Sequence, residues 1–372
     1  MKLLWVFPSF EIGGSQRRFA TIANAIGDGV HHSIVSLNGN TAAEQLLVST
    51  KRYEILLGDG ANSAGLSGSA IKSYARIIDS VAPDILLTAN WGAIEWHIAN
   101  RGKRAVPHIH FEDGFGPDET ISSRKWTRDV MRRILFSRRA TGNRPTAFVA
   151  PSRDLLALFE DAWRAPKQSV HLIENGVDMT AFPVATRTKN AAITIGAVGA
   201  LRREKRFDRL LRQFAELKRK NTRLVMVGDG PERGELETLA RALEIHERVV
   251  FAGTRSDIAE QLAKMDIFAL SSDTEQMPIS VIEAMATGLP VISTDVGDIK
   301  SMVAGDNQPY IAPLDDLPAY QNALIKLCDD AELREQLGKA NAQTSRERYS
   351  KDKMLASYRA LFQTMSVKGV AL

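Results

Sequence analysis

The 372-residue chain contains one cysteine, Cys328. A single thiol excludes an internal disulfide and any multi-cysteine zinc cage, and it fits a reducing compartment. No stretch approaches the ~20 apolar residues that a membrane-spanning helix needs. The opening MKLLWVFPSFEIGG has a short apolar run and no small-residue cleavage site, so it reads as a first strand rather than a signal peptide, with the cytosol as the default location. Low-complexity segments and a solenoid period are missing, as are the GxGxxG dinucleotide fingerprint and the Walker lysine loop, which removes the usual support for NAD and ATP chemistry. Neither sign of charge dominates: 48 Lys and Arg against 44 Asp and Glu leave a net charge of +4 and a pI of about 9.1. A nucleic-acid binder would carry a larger, clustered positive charge, so nucleic acid is not expected as a partner.

At roughly 150 residues per domain the length predicts two or three domains, large enough to bury a core without staples. Short apolar runs alternate with amphipathic stretches from end to end, the mark of parallel α/β architecture. A first series of strands is expected at Lys2–Phe7, His32–Leu37, Asp84–Thr88, Val106–Phe111 and Ala147–Pro151. A second is expected at Ile193–Gly199, Thr222–Gly228, Val249–Gly253, Asp266–Ser272 and Leu289–Asp295. Two such series predict two doubly wound domains, joined near Glu174–Lys189, where periodicity is lost and turn formers gather. Ligands of such domains sit at the carboxyl ends of the strands, so function is sought there.

The strongest chemical signal is SSDTEQMPISVIEAMATGLPVISTD, Ser271–Asp295. A strand ends at Ser271, Glu275 stands in the following loop, and Pro278 suits a first helical turn. Amides at Met277–Ser280, with Ile279 among them, then face outward at the positive end of a helix, a ready anion site. Carboxylates accept hydrogen bonds from hydroxyls and repel phosphate, so Glu275 and Glu283 suit sugar and ribose hydroxyls on either side of an amide-bound phosphate; taken singly, each also fits a dipole-favoured or solvated glutamate. In GALRREKRFDRLL, Arg202 and Lys205 follow a strand end and suit a diphosphate, or else a solvated βα loop. In EIGGSQRR, Gly13 and Gly14 permit close backbone approach to a phosphate or sugar. HIHFEDGFGPDE packs two His and four acids at another strand exit; His110, Glu112 and Asp113 face general-base work or a hydrogen-bonded loop. No helical His spacing supports a metal site there. Asn90 and Trp91 suit an acceptor pocket or, for the Trp, burial.

The pieces together resemble glycosyltransferase family 4, retaining nucleotide-sugar transferases of the GT-B fold, over nearly the whole chain. The resemblance rests on the E-x7-E pair Glu275/Glu283 with its EAMATGLPVI run, on NGVD (Asn175–Asp178), VGDGPERGELE (Val227–Glu237), FAGTRSD (Phe251–Asp257) and YSKDKMLASYRALF near the end. It implies two Rossmann-like domains facing across a cleft: residues 1–175 for the acceptor, with a helix over 350–372 crossing back to it, and residues 176–349 for the donor. It implies that Glu275 binds donor-sugar hydroxyls and Glu283 the ribose, that Met277, Ile279, Ser280, Arg202 and Lys205 hold the diphosphate, and that Thr254 and Arg255 lie near the base. Gly14 would approach the donor from the acceptor domain, and His110 would match the family's cleft histidine, a catalytic group with Glu275. The chain departs from the family at Ala200, where the arginine of a GRL motif is common, and at Gln276–Pro278, where relatives carry a glycine-rich turn.

The implied reaction is transfer of a hexose-type sugar with retention, to a glycan or lipid-linked acceptor of cell-surface polysaccharide, lipopolysaccharide or glycolipid assembly. No cofactor or metal is expected, because protein cations and a helix dipole stabilise the leaving diphosphate. Epimerases and hydrolases of the same fold, and a non-catalytic scaffold, are the alternatives. The segment Arg124–Arg139 sets seven Lys or Arg against Asp129 and interleaves Trp126, Val130, Met131, Ile134, Leu135 and Phe136. On a helix this is an apolar stripe flanked by cations, suited either to the anionic inner face of the cytoplasmic membrane or to an ordinary domain surface.

Overall fold

A computed structural model of the chain describes residues 1–27, 29–48, 52–56, 67–102, 105–115, 124–137, 144–187 and 192–366. Parts of four sequence expectations lie outside the described residues: 116–119 of the His/acid loop, Arg138 and Arg139 of the basic segment, 188–189 of the join and 367–372 of the last helix. The chain divides into two compact units, Met1–Asn175 with Asp352–Leu372, and Gly176–Lys351.

The first unit is built on a parallel sheet of β1 (Lys2–Phe7), β2 (His31–Ser36), β3 (Arg52–Leu56), β4 (Ile85–Ala89), β5 (His108–Phe111), β6 (Thr146–Ala150) and β7 (Val170–Leu172), in the order β3-β2-β1-β4-β5-β6-β7. Its helices include α1 (Gly14–Ala25), α2 (Gly68–Val81), α3 (Trp96–Ala99) and α4 (Trp126–Phe136). A strand buried on both faces still alternates its side chains. Leu3, Trp5 and Phe7 accordingly enter one core with Phe19 and Ile22 of α1, while Leu4 and Val6 enter another with Tyr74, Ile78 and Trp96. The helix Lys351–Met365 near the end of the chain packs on the first of these cores, through Met354, Tyr358 and Phe362 against Trp5 and Phe111.

The second unit repeats the plan. Strands β8 (Ile193–Val198), β9 (Thr222–Val227), β10 (Val249–Gly253), β11 (Ile267–Ala269), β12 (Val291–Thr294) and β13 (Ile311–Ala312) form a parallel sheet in the order β10-β9-β8-β11-β12-β13. The strand order reverses between β8 and β11, the point at which doubly wound sheets open a crevice at their carboxyl ends. Next come α5 (Phe207–Glu216) after β8 and α6 (Ile279–Ala286) after β11.

The expected strands are all present, with ends displaced by no more than three residues. Three further strands, β3, β7 and β13, were not anticipated. β3 (RYEIL) is an edge strand with no fully buried residue, and β7 and β13 span three and two residues, too short to display a period. Among the described residues, no helix is long and apolar enough to cross a membrane.

Candidate functional site

In the second unit the loops leaving β8 and β11 are laced together. Lys205 Nζ donates to Glu275 Oε1 at 2.6 Å, and Ser272 Oγ donates to the same oxygen at 2.8 Å. Ser271 Oγ donates to the carbonyl of Arg206 at 2.7 Å, and Arg209 returns two bonds, to the Ser271 carbonyl at 2.7 Å and to Asp273 at 2.6 Å. Glu275 is thus a buried carboxylate whose partner ammonium is a quarter exposed. The β11 strand ends at Ala269, two residues before the expected Ser271, so Leu270–Pro278 forms one long loop held against the β8 exit. A third loop supports it from below: a Cβ on Gly297 would lie 2.4 Å from the Glu275 carbonyl, and its φ of +56° belongs to the left-handed region that favours glycine.

Pro278 is the residue before α6 and not its first turn; its backbone is extended and the helix starts at Ile279. Among the described residues no side chain caps this helix. The Ile279 and Ser280 amides therefore belong to its unsatisfied first turn, at the positive end of the dipole. Val281, Ile282, Ala284 and Met285 turn inward, so Ile279, Ser280 and Glu283, spaced three and four apart, share the half-buried face. Met277 is buried, and Arg202 is exposed on the loop after β8. Lys205, Glu275, Ile279, Ser280 and Glu283 are thereby gathered around the strand-order reversal. Thr254 and Arg255 stand apart, exposed beyond edge strand β10, where Arg255 donates two hydrogen bonds to Asp257, at 2.7 and 2.8 Å.

In the first unit Gly13 precedes α1 in extended backbone with no side-chain cap, and exposed Gly14 opens the helix with free space where a Cβ would point. Beyond β4, Asn90 adopts φ +62° and its side-chain oxygen accepts the Asp113 amide at 2.7 Å. Asp113 itself pairs with Arg18 of α1, whose guanidinium lies over the Phe111 ring. Burial alone would lower the Arg18 pKa, yet Asp113 and Tyr358 together more than offset this and raise it.

Three expected site residues of this unit are engaged by partners of their own. His110 is fully buried, with Nδ1 2.9 Å from Thr88 Oγ1 and Nε2 3.2 Å from Glu112 Oε2, so both ring nitrogens are engaged within the unit. Glu112 is equally enclosed and accepts from Arg132 at 3.2 Å; burial would raise its pKa, but Arg132 and His110 hold it below the ordinary carboxylate value, the reverse of what a general base needs. Asp113, engaged by Arg18, is likewise committed to a partner. The basic helix packs as an amphipathic helix on the unit's surface, one of its two expected readings. Leu135 and Phe136 of α4 enter a core with Phe148, Phe159 and Trp163, and Arg132 is buried among Trp91, Phe115 and Trp163. Only Trp126 and Ile134 of its large apolar residues face outward, at 76% and 55% exposure. Among the described residues no group of three or more His, Cys, Asp and Glu is placed to hold a metal ion.

Residues 12–181 match the family described as Glycosyltransferase Family 4, and residues 179–344 match Glycosyl transferases group 1. The chain belongs to glycosyltransferase family 4. This family 4 chain is 30% identical over 166 residues to N-acetyl-α-D-glucosaminyl L-malate synthase of Bacillus anthracis, covering 44% of each chain. It is 28% identical over 209 residues to the lipopolysaccharide core biosynthesis glycosyltransferase LpsD of Rhizobium meliloti, covering 55% of this chain and 59% of the relative. These alignments span about half the length of the curated relatives, 44% and 59%. The structure is similar to that of Anabaena HepE in complex with UDP and glucose, with a TM-score of 0.81 at 17% identity over 98% of this chain and 100% of that one. At that identity the likeness speaks to the fold, which is GT-B.

The sequence reading of this family 4 chain missed Arg18 and Arg132 as partners of Asp113 and Glu112. Arg18 lies four residues after Gly14 on α1, one helical turn, and that spacing was a usable signal. Arg132 offered none, since a run of cations resembles a solvated face whichever member turns inward.

Proposed function

We propose that this family 4 chain transfers a hexose-type sugar from a nucleoside-diphosphate sugar to a glycan or lipid-linked acceptor in cell-surface polysaccharide, lipopolysaccharide or glycolipid assembly. The observation that carries the proposal is the Lys205–Glu275 pair at 2.6 Å, set beside the uncapped start of α6 at the strand-order reversal. A cation, two helix amides and two carboxylates in one place meet the needs of a molecule that is anionic at its centre and hydroxylated on both sides. The Ile279 and Ser280 amides, with Lys205 and Arg202, hold the diphosphate. As phosphate draws the Lys205 ammonium toward it, Glu275 becomes available to accept hydrogen bonds from sugar hydroxyls. Glu283, one turn along the same helix face, takes ribose hydroxyls.

In the transfer step the bond from the anomeric carbon to the β-phosphate oxygen breaks, and its electron pair stays on that oxygen. The acceptor hydroxyl oxygen bonds to the same face of the anomeric carbon, and its proton passes to the leaving phosphate, so configuration is retained. With Glu112 and Asp113 both committed to arginines, the leaving phosphate serves as the base. Lys205, Arg202 and the helix dipole stabilise the developing charge in place of a metal ion. The complex of HepE with UDP and glucose supports testing UDP-glucose as donor first. Exposed Trp126 and Ile134, beside Lys125 and Arg133, support peripheral contact of α4 with an anionic membrane.

Glu275→Ala tests the donor assignment. It is expected to keep affinity for the free nucleotide and to weaken binding of the matching sugar conjugate about 10- to 150-fold, the worth of one lost charge-assisted hydrogen bond. Equal binding of the conjugate by parent and variant removes Glu275 from the sugar.

A further inference from the structure

Glu275 is tied down through one of its two oxygens. Ser272 Oγ donates to Oε1 at 2.8 Å and Lys205 Nζ to the same oxygen at 2.6 Å, while among the described residues no hydrogen bond reaches Oε2. The two donors differ in freedom. Lys205 is a quarter exposed at the end of a flexible four-carbon stem. Ser272 is 0% exposed, and the peptide that follows it is held by both of its polar groups. Its carbonyl accepts from Thr294 Oγ1, at the end of β12, at 2.6 Å, and its N–H, on Asp273, donates to the Glu204 carbonyl at 2.9 Å. Thr294 is itself buried.

The acceptors set the direction of this line. A carboxylate paired with an ammonium only accepts, as does a backbone carbonyl, so both hydroxyls are donors, Thr294 toward Ser272 and Ser272 toward Glu275. Each hydroxyl has one proton, and each proton is committed to that bond. A glutamate side chain turns about three bonds, and ordering it only at the moment of binding costs affinity. Once bound phosphate draws Lys205 away, Ser272 is the donor that still holds Oε1.

We propose that Ser272 and Thr294 are positioning residues for the sugar contact of Glu275. Thr294 fixes Ser272, and Ser272 keeps Oε1 in place when Lys205 turns to the diphosphate, so that the carboxylate meets the sugar already oriented. The inference rests on the donor site proposed above. It gives two buried hydroxyls, which touch neither sugar nor phosphate, a part in binding the sugar conjugate and none in binding the free nucleotide.

Calorimetric titration of the full chain with UDP and UDP-glucose, GDP and GDP-mannose, and ADP and ADP-glucose tests the proposal. Ser272→Ala is expected to keep parental affinity for the free nucleotide and to weaken its conjugate about 2- to 12-fold, the net worth of one hydrogen bond. Thr294→Val, one bond further from the carboxylate, is expected to weaken the conjugate less than S272A does, whereas Thr294→Ser keeps the hydroxyl and binds like the parent. The deciding comparison places S272A in the Glu275→Ala background. A residue that acts through Glu275 has nothing left to position there, so E275A with and without S272A should bind the conjugate equally, while a general packing role weakens both backgrounds alike. Parental conjugate affinity in S272A, an equal loss for the free nucleotide, or the same loss in the E275A background overturns the proposal. Should S272A not fold, T294V in the two backgrounds decides by the same comparison. Conjugate binding unchanged by E275A alone, or a parent that binds none of the three pairs, overturns the donor site and this proposal with it, which sets that failure apart from one confined to Ser272.

Discussion

Lys205 and Glu275 stand 70 positions apart in sequence and meet at 2.6 Å, joining the loops that leave the two central strands of the second unit. Removing the ammonium strands a carboxylate that is only 7% exposed. Lys205→Ala is expected to destabilise the second unit by about 1.5–3 kcal/mol, the range for a hydrogen bond to a charged group. Lys205→Ala with Glu275→Ala should cost less than the two single changes summed, because the stranded charge is gone. Urea unfolding followed by circular dichroism across the four proteins checks this; strict additivity would dissolve the coupling.

Gly297 is the second support of the Glu275 loop. Gly297→Ala places a Cβ against the Glu275 and Gln276 carbonyls at 2.4 and 2.6 Å in a left-handed backbone. It is expected to cost on the order of 1–3 kcal/mol and to weaken sugar-nucleotide binding. Calorimetric titration beside thermal unfolding separates the two effects, and parental stability with parental affinity would show the loop to be freely adjustable.

Acid should weaken the first unit before it weakens the second. The His108 ring is held well below the ordinary histidine value, first by burial and then by His97 and Arg144. The unfolded chain takes up that proton near pH 6.5 and the folded chain does not, so stability falls as pH drops below about 6.5, by about 1.4 kcal/mol per pH unit for this ring alone. Glu95, raised by burial, acts in the opposite sense at pH above its ordinary 4.5, and the lowered Glu112 adds its own loss below 4.5. All five tryptophans, at positions 5, 91, 96, 126 and 163, lie in the first unit. Their fluorescence during urea unfolding at pH 7.0, 6.0 and 5.5 therefore reads this unit directly; a midpoint independent of pH is the contrary result.

Much of the fold was legible because long, strongly patterned strands such as Lys2–Phe7 and Thr222–Val227 carry their own period. Strands of two or three residues carry none. In the second unit the E-x7-E spacing and the lysine after β8 could each be read from neighbours in the chain, while the helix starts one residue later than Pro278 suggested. In the first unit the partners of His110 and Glu112 stayed hidden for one physical reason. A polar residue near a strand exit has the same sequence signature whether it faces solvent or a buried partner, and here the partners, Thr88 and Arg132, lie 22 and 20 positions away.

The outward pair on α4 yields a prediction about surfaces. Trp126, 76% exposed on a basic helix, is expected to shift its emission to the blue on vesicles containing anionic lipid and to leave neutral vesicles unaffected. Trp126→Ala should reduce co-flotation with anionic vesicles. Flotation that ignores lipid charge would remove the membrane from the account.

The central claim is a donor site on the second unit, and thermal unfolding of the full chain with UDP, GDP and ADP tests it most directly. One of the three is predicted to raise Tm in a concentration-dependent way, equivalent to about 2.7 kcal/mol at a hundredfold excess over Kd, and Lys205→Met is predicted to shrink the shift measured against its own unliganded Tm. No shift with any of the three nucleotides, in a parent protein that unfolds cooperatively, contradicts the account.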